Sequence, residues 1–273
     1  MLKNGINMKL IMLGTGNASV TECYNSCFLL SQDNQYILVD GGGGSNIFNQ
    51  LKKAGVDWKD VKNVIVTHKH MDHFIGILWI IRMVCQHVNR NEYTGNLFVY
   101  SHDEVIFLIK DFMKKFLEKR DYELLDKRLF LVTVENGASE FIIGKKVTFF
   151  DIESIKAKQY GFQIEYDNNK TLVCCGDEPY NSINEKYVKN SDWLIHEAFC
   201  LKSEEKIFKP YEKNHSTVTR ACQIAQQLNV KNLVLYHTED KNLEKRKELY
   251  LSEGKKSYLG RLYVPNDLEI ISL

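Results

Sequence analysis

The chain has 273 residues, 44% of them hydrophobic and 26% charged, with a formal net charge of +1. This length can bury a substantial core, in one large α/β domain or two small ones, and the composition is that of an ordinary globular protein. The near-neutral balance excludes a general polyanion-binding surface, and no apolar run approaches the length of a membrane span.

The opening Met1-Leu2-Lys3-Asn4-Gly5 has no apolar stretch behind a basic flank. No secretory signal is read there, and a cytoplasmic location is expected. Lys9 to Gly14 reads as an apolar strand ending in the Gly14-Thr15-Gly16 turn. Cys27 to Ser31 and Tyr36 to Asp40 form a predicted hairpin around Gln32-Asp33-Asn34-Gln35. Four glycines follow Asp40, and then a helix is predicted over Asn46 to Lys53 with Ser45 as its N-cap. Val61 to Thr67 reads as a strand and Ile75 to Val88 as a buried helix.

Asn96 to Ser101 is a further predicted strand, followed by an amphipathic helix over Glu104 to Glu118. A β-rich stretch takes in Leu129 to Glu135, Phe141 to Ile143, Val147 to Asp151, Phe162 to Tyr166 and Thr171 to Cys175. Trp193 to Glu197 is a strand, Thr217 to Leu228 a helix, Leu233 to His237 a strand, and Leu268 to Leu273 closes the chain. Two mixed sheets with helices outside satisfy this order. Only three prolines occur and no low-complexity linker, so 1–273 is expected to form a single domain. Seven cysteines, odd in number and without a C-x-x-C pair, predict reduced and mostly buried thiols rather than a disulfide framework.

The chemistry concentrates at Thr67-His68-Lys69-His70-Met71-Asp72-His73, which places three imidazoles and a carboxylate within six residues. Such spacing suits an extended segment breaking into a turn rather than a helix face. Imidazole nitrogens with a carboxylate oxygen suit zinc, or manganese or ferrous iron, and open positions on such a centre activate water. Further carboxylates and histidines stand at strand ends: Asp177 after Cys175-Gly176, His196 and Glu197 at the end of a strand, and His237 at the end of another. His215 precedes a helix start, where a neutral imidazole supported by a carboxylate is suited to general acid work.

Together these residues resemble the metallo-β-lactamase superfamily, and within it the ribonuclease Z branch, almost from end to end. Leu10 to Ala18 is similar to that branch's first strand and turn, and Asp40-Gly41-Gly42-Gly43-Gly44 to the family's D-x-G-x-G element. His68, His70, Asp72 and His73 match H-x-H-x-D-H at every specified position. Cys175-Gly176-Asp177 looks like the segment carrying a bridging aspartate, and Leu235-Tyr236-His237 like the final ligand. His196-Glu197-Ala198 and Asn214-His215-Ser216-Thr217 are similar to the elements of the branch's Glu–His proton relay.

The resemblance implies a four-layer αββα sandwich with metals at one edge, between the two sheets. It implies His68 and His70 on a first metal, Asp72, His73 and His237 on a second, and Asp177 bridging. Asp72 would share in catalysis as a ligand, Glu197 and His215 would manage the leaving group's proton, and Asp40 and His196 would support the site from behind. A homodimer is expected by the same analogy.

Two departures stand out. No histidine occurs between His102 and His196, where the family carries a ligand on the loop before Tyr160-Gly161-Phe162. Asp151, Glu153 or the remote His102 is then required to substitute, and Lys156 on that loop can repel or replace a cation. The second site is therefore expected to fill more readily than the first. The Gly/Pro-rich arm that grips tRNA in ribonuclease Z is also missing, and the basic residues Lys110, Lys114, Lys115, Lys119 and Arg120 read as a solvated face.

The leading expectation is a metal-dependent hydrolase cleaving a phosphodiester, either a small nucleotide or RNA. Hydrolysis of a lactone, thioester or amide on the same centre is the second reading, and a metal-poor binding scaffold the third. An oxygen- or NO-reducing diiron protein is disfavoured because His70 stands where that group carries Glu.

Overall fold

The computed structural model describes residues 7–167 and 169–273. Met1 to Gly5, read above for a leader, lie outside them. The described residues fall into two compact units, one within 7–13, 27–135 and 268–273, the other within 14–26 and 136–267. Each is built on a seven-stranded sheet. Among the described residues no helix is long and apolar enough to cross a membrane.

The first sheet contains β1 (Lys9–Gly14), β2 (Cys27–Gln32), β3 (Gln35–Val39), β4 (Asn63–Ile65), β5 (Leu97–Ser101) and β6 (Leu129–Thr133), and its order is completed by the last strand, Ile270–Ser272, beside β1. The predicted β2–β3 turn is tight: Asp33 and Asn34 take φ of +51° and +60°, the two left-handed residues that match a hairpin's twist. β3 to β6 are parallel. Their crossover segments include α1 (Ile47–Lys53), α2 (Met71–Asn89), α3 (Asp103–Phe116) and the short α4 (Lys119–Tyr122).

Three expectations for this unit are corrected. Asn46, not Ser45, occupies the N-cap of α1, and its side chain makes no capping bond. The strand expected over Val61 to Thr67 is short because Thr67 leaves the ladder, its N–H donating to Asp40 Oδ1 at 2.8 Å. The helix expected from Ile75 starts four residues earlier, so Asp72 and His73 lie in its first turn and His70 is its N-cap. The cluster is thus an extended-to-helix junction. The face of α3 carrying Lys110, Lys114 and Lys115 is solvated as read, while Val105, Ile106, Ile109 and Met113 are buried.

The second sheet comprises β7 (Ser139–Ile142), β8 (Lys145–Asp151), β9 (Tyr160–Tyr166), β10 (Lys170–Cys174), β11 (Trp193–Glu197), β12 (Asn232–Tyr236) and β13 (Arg261–Tyr263), in that spatial order. β7 to β10 pair antiparallel and β10 to β13 parallel. The helices of this unit are α5 (Glu185–Val188), α6 (Glu205–Phe208), α7 (Val218–Gln227) and α8 (Arg246–Gly254), and β14 (Ile270–Ser272) is the strand that returns to the first sheet. Its core gathers Val173, Leu194, Ala221, Ile224, Leu233 and Leu235 around α7 and the parallel strands. Thr217 caps α7 by accepting the Arg220 N–H at 3.3 Å. α8 and β13 were not anticipated from sequence. The buried positions of α8 are Arg246, Tyr250 and Gly254, so its inner stripe carries no aliphatic signal. All seven cysteines are free thiols and six are buried, as their scatter foretold.

Candidate metal-binding and catalytic site

In the first unit the site grows from the carboxyl end of β4 and the Gly-rich loop after β3. Gly41 N–H donates to His73 O at 2.8 Å, and Gly76 N–H donates to Gly42 O at 2.9 Å. A Cβ on Gly76 would sit 1.8 Å from Gly41 O, so only glycine lets the N-terminal part of α2 dock on this loop. Docking fixes Asp40 against the histidines. The Thr67 hydroxyl donates to Asp40 Oδ2 at 2.7 Å and therefore accepts from His68 Nδ1 at 2.9 Å. Asp40 Oδ2 also lies 2.7 Å from His73 Nδ1, which donates to it.

One buried carboxylate thus orients two imidazoles, directing Nδ1 of each inward and leaving Nε2 of His68 and His73 as the candidate ligand atoms. Burial disfavours charge on His73, but the Asp72 and Asp40 carboxylates outweigh it and raise its pKa well above the ordinary value. His68 Nε2 and His70 Nδ1 are 2.8 Å apart, and Asp72 Oδ2 is 3.4 Å from His73 Nε2. The four cluster residues and Asp40 are therefore brought together.

In the second unit Asp177, His215 and His237 form another group, all buried, whose ligand atoms lie within 4.8 Å of one another. Asp177 Oδ2 is 3.7 Å from His237 Nε2. Gly176, with φ of +75°, turns the chain between β10 and Asp177, and Tyr236 donates its hydroxyl to Gly176 O at 2.7 Å. His237 is held from the other side. Arg246, fully buried, donates to Thr238 Oγ1 at 2.6 Å and to Thr15 Oγ1 at 3.0 Å, while Thr238 N–H donates to Thr15 O at 3.0 Å. The early Thr15-Gly16-Asn17 turn therefore braces the end of β12. Both Asp40 and His237 take φ of +56°, a left-handed conformation that non-glycine residues adopt at a cost.

The relay residues depart from the expected geometry. Glu197 Oε2 is 3.7 Å from His215 Nδ1, beyond hydrogen-bonding distance. Nδ1 instead donates to the Asp177 carbonyl at 2.9 Å, and the ring stacks on Phe199 with centroids 5.0 Å apart. Burial, together with His237 and Lys156, pushes the His215 pKa down to about 3, so the imidazole is neutral with Nε2 as its open nitrogen. Glu197 is fully buried and accepts the Ser216 N–H at 2.7 Å; burial raises its pKa to about 8. His196 touches none of the metal-ligand candidates by hydrogen bond: Nδ1 donates to Glu197 O at 2.6 Å and Nε2 accepts the Tyr180 N–H at 3.0 Å. It ties the loop after Asp177 to β11.

The candidate substitutes for the missing histidine do not join a ligand group among the described residues. Asp151 accepts the Glu153 N–H at 2.8 Å, Glu153 is exposed, and His102 is buried as the N-cap of α3. The remaining donors, imidazole and carboxylate without thiolate, fit zinc, manganese or iron. Sequence reasoning overlooked Thr67, Glu178 and Arg246. Only Thr67, adjacent to the cluster at a strand end, offered a signal.

Residues 8–258 match the family described as Anti-Pycsar protein Apyc1. The chain belongs to that family. It is also similar to ribonuclease Z of Nitrosopumilus maritimus, with 25% identity over 89% of this chain and 95% of the relative. Among solved structures it resembles the metallo-beta-lactamase fold protein YhfI from Bacillus subtilis, at a TM-score of 0.79 and 19% identity, covering 97% of this chain and 99% of that one. The short form of human tRNase Z matches at a TM-score of 0.73 and 19% identity, over 97% and 99% of the two chains. The Apyc1-family protein is accordingly a ribonuclease Z-like hydrolase with the α/β metallo-beta-lactamase fold.

Proposed function

We propose that this protein is a metal-dependent phosphodiesterase acting on small phosphodiesters, nucleotides foremost. The observation that carries the reading is His215: a buried, neutral imidazole grouped with Asp177 and His237, its Nδ1 committed to the Asp177 carbonyl and its Nε2 open. In this reading His68, His70, Asp72, His73, Asp177 and His237 hold one or two zinc ions, with manganese or iron served by the same donors. When bound, the metal supplies Lewis acidity and a water that ionises near neutral pH.

The chain's own residues do the rest. Asp40 and Thr67 hold His68 and His73 in the metal-binding tautomer. His215 Nε2 is the atom through which a proton passes near the leaving oxygen. Glu197, its pKa raised to about 8, stores a proton close behind that ring.

A small substrate is favoured over RNA because Lys115 pairs with Asp111 at 2.8 Å, Lys119 with Glu123 at 3.8 Å and Arg120 with Glu118 at 2.9 Å, and the chain lacks a Gly/Pro-rich arm. The two units are taken to work as one hydrolase domain and two copies to pair, which light scattering tests. The activity test is a panel on zinc-loaded protein: bis(p-nitrophenyl) phosphate, a cyclic mononucleotide as the smallest nucleotide diester, precursor tRNA and a set of lactones. Turnover of the small diesters is expected. Turnover of lactones alone would replace this reading with a carboxyl-ester hydrolase.

A further inference from the structure

The loop that lacks the family's histidine carries Lys156, and the structure ties it to His215. Lys156 Nζ donates to the backbone carbonyl of Lys213, two residues before His215, and its charge is among the forces holding that imidazole neutral. An ammonium has three hydrogens, so two remain for another acceptor. Among the described residues Lys156 has no carboxylate within ion-pair distance, unlike Lys145, Lys146, Lys189 and Lys231 of the same unit.

The position is built, not incidental. Glu178, 4% exposed and next in sequence to Asp177, joins three segments. Its Oε1 accepts the Ser154 hydroxyl at 2.7 Å, and its Oε2 accepts Asn214 Nδ2 at 2.7 Å. Ser154 Oγ in turn accepts the Lys156 N–H at 3.2 Å. A buried carboxylate with both oxygens committed therefore locks the Lys156 loop, the Asp177 turn and the residue before His215 into one arrangement.

We propose that Lys156 is an anion-binding residue that takes phosphate charge beside His215, and that Glu178 is the positioning residue that aims it. The idea rests on the phosphodiesterase reading for its substrate, since a phosphodiester carries the negative charge that a lactone lacks. A loop without the histidine forgoes a metal ligand, and with Lys156 it carries a positive charge for the phosphate.

The test uses zinc-loaded protein and inorganic phosphate as the probe, titrated calorimetrically. Lys156→Met is expected to weaken phosphate binding about tenfold to hundredfold, the range of a lost charge-assisted hydrogen bond. Lys156→Arg should keep most of the affinity. Glu178→Gln should weaken binding as Lys156→Met does, and the double variant should be no weaker than Lys156→Met alone, because the second change acts through the first. With bis(p-nitrophenyl) phosphate the same loss should fall mainly on KM. Wild-type affinity in Lys156→Met, equal losses in the Met and Arg variants, or additive effects in the double variant would each overturn the proposal. If the wild type turns over no phosphodiester, the functional reading falls, and the phosphate titration still decides the role of Lys156.

Discussion

Asp40 and His73 form a buried pair, a carboxylate oxygen 2.7 Å from imidazole Nδ1, and the same carboxylate reaches His68 through the Thr67 hydroxyl. Two candidate ligands separated by a helix start thus share one orienting anion. Asp40→Asn is expected to lower zinc affinity about 10- to 100-fold, the usual range for an outer-sphere partner. Competition with a chromophoric chelator measures it. Unchanged affinity would take Asp40 out of the site.

Gly76→Ala probes the docking of α2. The added methyl meets backbone rather than a yielding side chain, so the helix start must move. A loss of about 1–3 kcal/mol is expected in urea unfolding, as for other overpacked positions, together with reduced metal content. A variant of wild-type stability with full metal occupancy would show that the loop tolerates displacement.

His196 gives a pH signature. Burial lowers its pKa from 6.5 to about 4, so between those values the unfolded chain binds a proton that the folded chain does not. Its contribution is fully present above pH 6.5 and is lost as pH falls toward 4, by at most about 3 kcal/mol. Glu197 has the opposite sign, because its folded pKa lies above the unfolded one and stability falls as pH rises from 4.5 to about 8. Comparing wild type with His196→Gln, both kept metal-free by chelator, separates the two: the variant's urea midpoint should vary less with pH in the acid window. Parallel curves would refute the assignment.

His215→Asn distinguishes proton transfer from metal binding. If His215 passes a proton, kcat should fall about 10²- to 10⁴-fold while metal content stays at the wild-type value. Loss of bound metal in step with activity would make His215 a ligand instead.

Much of this was legible before any coordinates, for identifiable reasons. Strands such as Trp193–Glu197 announce themselves because all five residues are buried and apolar residues lead the run. The cluster at His68 to His73 is legible because metal chemistry needs these side-chain types at close spacing. Its local shape was not, since the buried face of the first helical turn begins with the polar side chains of Asp72 and His73 rather than with apolar ones. α8 was hidden because an arginine, a tyrosine and a glycine make its buried stripe. Glu178 was hidden for a different reason. Its partners Ser154 and Asn214 lie 24 and 36 residues away, and no local pattern encodes a junction of that kind.

The left-handed backbone of Asp40 and His237 has an evolutionary corollary. Glycine at either position would relax the chain while deleting a side chain the chemistry needs, so these two sites set fitness against ease of folding. A laboratory screen rewarding heat resistance alone should drift toward glycine there. A screen demanding turnover should hold both residues fixed.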